Sequence, residues 1–88
     1  MEIEKDYEDV EREAIWMICQ YFNVWAKDGG TYWRGCITGA LQMLATTGVI
    51  DHKQSHALED VVDEAAAQKL GPKYVRKQAR RIFWEGVR

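Results

Sequence analysis

"AKDGGTYWRGCITGALQMLATTGVIDHKQ", residues 26–54, holds two stop signals and two start signals whose spacing decides the fold. Gly29 and Gly30 follow an apolar stretch and can take positive φ, which ends a helix. Thr31 can cap the next helix, which continues through Thr47 to a second stop at Gly48. Asp51 with Gln54 fits the reciprocal hydrogen bonding of a capping box and opens a third. Such short connections favour antiparallel neighbours. One feature resists this reading: Gly35 and Gly39 sit inside the second helix, and each costs about 1 kcal/mol relative to alanine.

Outward from this stretch the pattern stays helical. The first helix runs from about Asp6 to Ala26, with Tyr7, Val10, Ala14, Ile18, Tyr21 and Trp25 recurring at three and four, widened by Ile15, Met17 and Phe22. The third continues to about Lys69 on a narrow stripe of Leu58, Val61, Val62 and Ala65. "LGPK", residues 70–73, offers Gly71 as a C′ glycine and Pro72 for the first turn of a fourth helix. That helix reaches about Gly86 and buries Val75, Ala79, Ile82 and Phe83. No segment shows strand alternation. The expected fold is all-α, a compact bundle of about four helices with short connections, as one domain over residues 1–88.

Composition agrees: 88 residues, 47% hydrophobic and 30% charged, describe an ordinary globular chain and exclude a disordered one. Cys19 and Cys36 lie in apolar helical stretches and read as buried thiols of a reducing compartment. The acidic N-terminus is unlike a signal peptide, and no apolar run approaches membrane-spanning length, so a cytoplasmic protein without a membrane partner is expected.

The net charge of −2 hides a segregation. Residues 1–15 carry seven acids (Glu2, Glu4, Asp6, Glu8, Asp9, Glu11, Glu13) against Lys5 and Arg12, whereas residues 72–88 carry six bases against Glu85. Antiparallel packing of the first and fourth helices would lay these ends side by side, and ion pairing between them would explain part of the pattern.

The fourth helix is the first candidate for function. Lys73, Arg76, Lys77, Arg80 and Arg81 share its outward side with Trp84, a combination that suits phosphates with a stacked base, or an acidic protein surface. A helix-turn-helix is disfavoured, because Pro72 and Lys77 occupy places that need apolar residues. Trp16 is the second candidate. It projects opposite the main apolar stripe beside Arg12, Gln20, Asn23 and Lys27, as an interface anchor or under a covering segment. The third candidate is Gly35 and Gly39, which with Thr38, Gln42, Ala45 and Thr46 form a small-residue face opposite Trp33, Cys36, Ile37, Ala40, Leu41, Met43 and Leu44. That face suits a close helix crossing within the bundle or a homodimer contact.

Chemistry has less support. His52 and His56 stand one turn apart with Glu59 and Asp63 beyond, but the metalloprotease pattern is absent, so no metal and no cofactor is expected. Ser55 and His56 are adjacent and diverge on a helix, so no nucleophile and base pair forms, and no catalytic residue is assigned.

"YWRGCITGALQMLATTGVI", residues 32–50, is similar in a generic way to small helical accessory proteins of bacteriophages and prophages, over about a fifth of the chain. The resemblance rests on no catalytic or ligand motif, and what it implies is a compact protein that binds a host factor. The leading expectation is therefore a non-enzymatic interaction protein that binds, and inhibits or recruits, another macromolecule through Trp16, Lys73, Lys77, Arg80, Arg81 and Trp84. The alternative is a nucleic-acid-binding or transcription-associated protein using the basic fourth helix. A homodimer is compatible with either.

Overall fold

A computed structural model describes residues 3–85, with side chains from Val10 to Trp84. Four α-helices appear in chain order: α1 (Ile3–Asp28), α2 (Tyr32–Thr46), α3 (His52–Ala67) and α4 (Pro72–Glu85), with no strand among the described residues. The stop and start signals explain the boundaries. Gly29 and Gly48 take φ of 73° and 85°, and the turn after α2 closes as a Schellman motif, with the Gly48 and Val49 N–H groups donating to the Ala45 and Leu44 carbonyls. The capping box is present, the Gln54 N–H donating to Asp51 at 2.7 Å and the Asp51 N–H to the Gln54 side chain at 2.8 Å.

Two terminal expectations need correcting. Thr31 holds the N-cap of α2, but its backbone is already near-helical (φ −107°, ψ −16°) and its hydroxyl makes no capping bond. At the end of α3 the left-handed residue is Lys69 (φ 58°), not Gly71, because the helix stops earlier. The Lys69 and Leu70 N–H groups close onto Ala66 and Ala65, so Leu70 rather than a glycine follows the turn and packs on the core.

The helices form a ring in which each packs on its two sequence neighbours and α4 closes onto α1. Side-chain links show that neighbours run antiparallel. Tyr21 meets Trp33 across the α1–α2 turn, with ring centroids 5.9 Å apart. The Gln54 amide of early α3 donates to the Ile82 carbonyl of late α4 at 2.9 Å, and the Tyr74 hydroxyl of early α4 donates to Glu64 of late α3 at 3.0 Å. The Cys19 thiol lies 3.9 Å from the Pro72 carbonyl, placing the start of α4 midway along α1. The core is Ile18 and Phe22 of α1, Ile37 and Leu41 of α2, Leu58 and Val62 of α3, and Val75 and Ala79 of α4. No described helix is long and apolar enough to cross a membrane.

Helix length accounts for an exposed residue that periodicity placed in the core. At about 1.5 Å per residue α1 is roughly 39 Å long, against about 21–24 Å for its partners. Its first turns therefore run past the ends of α2 and α4, and Val10 stands 43% exposed. The acids Glu2, Glu4, Asp6, Glu8 and Asp9, whose pairing with α4 is expected from the sequence, lie outside the residues whose side chains are described.

The glycine face of α2 also departs from expectation. No described helix crosses it, since a Cβ built on Gly35 or Gly39 meets no described atom within 4 Å. The face is not purely small either. Met43 lies two positions beyond Leu41, about 200° round the helix, and so joins Tyr32, Gly35 and Gly39 on the solvent side at 65% exposed. With the crossing excluded, the paired change Gly35→Ala and Gly39→Ala gains helix propensity without a clash. It raises the unfolding free energy by about 1–2 kcal/mol in urea titration. A loss of stability would contradict an open face.

A feature that patterning did not reveal ties α2 to α3. Arg34 Nε and Nη2 donate to the two oxygens of Asp63 at 2.8 and 3.0 Å, Nη2 also reaches Glu59 at 2.9 Å, and Nη1 donates to Thr38 at 2.6 Å. The guanidinium stands 6.0 Å from the Trp25 ring centroid. Hydrogen bonding to Arg34 holds the Asp63 carboxyl below the usual carboxylate range. A lowered folded-state pKa stabilises above the unfolded value, near pH 4, and that contribution fades as pH falls through the folded value. Arg34→Met is expected to lower stability by about 1–2 kcal/mol at pH 7. The deficit shrinks towards pH 2.5, by under about 1 kcal/mol because Asp63 is largely exposed. Urea unfolding at both pH values measures it, and a pH-independent deficit would contradict the assignment.

A candidate partner-binding groove between the first and last helices

Trp16 and Trp84, 68 residues apart in the chain, line one groove. It has a volume of about 320 Å³ and is walled by Arg12, Ile15 and Trp16 of α1 and by Arg76, Arg80 and Trp84 of α4. The geometry follows from two ladders at helical spacing on antiparallel helices: 12 and 16 on one, 76, 80 and 84 on the other. Ile15 is buried and forms an apolar floor, while the tryptophans remain 58% and 45% exposed. No described segment folds over Trp16.

The electrostatics are one-sided. The Arg80 guanidinium lies 5.2 Å from the Trp84 ring centroid in a cation–π arrangement. Burial pushes the Cys19 thiol up, and the neighbouring Arg76 charge opposes that shift. Among the described residues neither Arg76 nor Arg80 makes an ion pair. Arg12 already has an interaction within the chain.

Of the residues singled out in the sequence, the fold brings together Trp16, Arg76, Arg80 and Trp84. Lys73, Lys77 and Arg81 are exposed on α4 outside the groove, and Arg81 has an interaction of its own. Gly35 and Gly39 lie on α2, away from it. Arg12 and Ile15 join the site through the pairing of α1 with α4, and the available signal was the place of Arg12 one turn before Trp16. Trp16 also borders a more apolar groove towards α2, lined by Val10, Met17, Tyr21 and Leu44, so it stands on a ridge between two depressions.

The remaining candidates are less organised. His52 and His56 are exposed, and the acids beyond them face Arg34 instead. Among the described residues no group of three His, Cys, Asp or Glu side chains is placed to hold a metal ion. Both cysteines are free; Cys19 is buried as expected, whereas Cys36 is only half-buried. Comparison with family models, curated proteins and solved structures finds no match, so the reading of the groove rests on its own residues.

Proposed function

We propose that the protein is a non-enzymatic interaction module that binds another macromolecule, most directly a protein, through the α1/α4 groove. The supporting observation is the convergence of Trp16 and Trp84 with Arg76 and Arg80 on one open depression. Exposed tryptophan is an unfavourable use of surface in water, and tryptophan and arginine are the residues most enriched among interface hot spots. Inhibition or recruitment of the bound partner, as in an accessory protein acting on a host factor, would follow from occupancy alone.

Nucleic acid is the weaker occupant. The wall opposite α4 is α1, whose sequence carries six acids from Glu4 to Glu13, an unfavourable charge balance for phosphate. The test is partner capture from lysate by the wild-type chain, by Trp16→Ala, Trp84→Ala and the double variant, and by Tyr32→Ala/Met43→Ala on the opposite exposed face. Loss confined to the groove variants is expected. Capture that survives the double groove variant would contradict the reading.

A further inference from the structure

We infer that the occupant of the α1/α4 groove is an acidic protein segment, whose carboxylates meet Arg76 and Arg80 around one apolar or aromatic side chain seated against Trp16 and Trp84. This rests on the groove being the binding surface, and it adds the chemistry of what is bound.

Charge complementarity carries the argument. Arg76 and Arg80 line an open groove and make no ion pair among the described residues. Unlike a lysine, an arginine stacked on an aromatic ring keeps its N–H donors in the guanidinium plane, free for a bidentate carboxylate. The Arg80 guanidinium lies over the Trp84 ring, 5.2 Å from its centroid, with no ion pair among the described residues. One turn of α4 separates the two arginines, so acids one turn apart on a docking helix match them. Between them, Ile15 and the two indoles offer an apolar seat.

Size and field point the same way. About 320 Å³ admits two or three side chains rather than a run of stacked bases. A nucleic acid places a charge on every nucleotide, whereas a peptide can confine its acids to the arginines.

The experiment uses the full chain and fluorescence anisotropy with three labelled probes. They are a helical peptide of about four turns with two Glu one turn apart beside one Leu and otherwise neutral polar residues, the same peptide with Gln for both Glu, and single-stranded oligothymidylate. The Glu peptide is expected to bind at least about tenfold more tightly than the Gln peptide, with Arg76→Gln and Arg80→Gln each weakening it about tenfold. Lys53→Gln, on the exposed start of α3, leaves it unchanged. Helical circular dichroism confirms that the variants fold. Equal affinity for the Glu and Gln peptides, no binding of either, or tighter binding of oligothymidylate overturns the acidic occupant. If it falls while Trp16→Ala still abolishes capture from lysate, the groove stands and only its occupant's chemistry is wrong. Capture indifferent to Trp16 and Trp84 removes both.

Discussion

Phe22→Ala is expected to lower the unfolding free energy by about 3–5 kcal/mol, the usual loss when a buried aromatic side chain is deleted. Phe22 is 1% exposed, and its ring meets Trp25 edge-on with centroids 6.2 Å apart. Ala65 and Leu70 from the end of α3 line one depression with the two rings and belong to the same apolar cluster. A chain of 88 residues holds a total stability of about 5–13 kcal/mol, so this one deletion removes a large share of it. Each kcal/mol lowers Tm by roughly 4–8 °C in a chain of this size. Urea titration and thermal melting of the variant give the number. A loss below about 1 kcal/mol would mean that the ring is not enclosed as the bundle requires.

Trp16→Ala with Trp84→Ala has the opposite signature. Each indole is about half in solvent, so truncation leaves no enclosed cavity and costs under about 1 kcal/mol of stability. Against the partner, two hot-spot truncations of about 2 kcal/mol each compound to a loss of affinity on the order of 1,000-fold. Titration calorimetry with the captured partner measures the binding side, and urea unfolding the folding side. Parallel loss of stability and affinity would show the tryptophans to be structural. Phe22 and Trp16, six positions apart on one helix, thus separate what holds the protein together from what it presents.

The architecture was legible because this chain states its local rules openly. Gly29, Gly48 and the Asp51–Gln54 box mark helix ends by backbone chemistry that distant contacts rarely override. The buried faces of α3 and α4 followed from periodicity for the same reason. Errors arose where position depended on the neighbouring helix. Val10 belongs to the right stripe but to a turn that no partner covers, and Met43 was assigned to a face it leaves by rotation. Lys69 holds a left-handed conformation that sequence alone gives to Gly71, because α3 ends at Ala67, two residues before the end its pattern predicts.

The site was legible in pieces. Trp16 was conspicuous as an aromatic residue off the main stripe, and Trp84 as one among bases, but nothing in either helix said that they share a groove. That fact belongs to the pairing of α1 with α4, a contact between the two ends of the chain. The Arg34 network was hidden likewise, since its acids lie 25 and 29 residues away on a helix that reads as solvated. For the glycine pair the fold removed one explanation. No described helix crosses there, and Gly35 and Gly39 remain on an open face with Tyr32 and Met43.

Hydroxyl-radical footprinting of the complex tests the central claim most directly, because it reads which exposed side chains a partner covers. Trp16, Trp84, Tyr32 and Met43 are all reactive and exposed in the free chain, two on each side of the molecule. The account predicts that binding protects Trp16 and Trp84 and leaves Tyr32 and Met43 as reactive as before. Protection of Tyr32 and Met43 with the tryptophans unchanged would move the binding surface to α2 and contradict it.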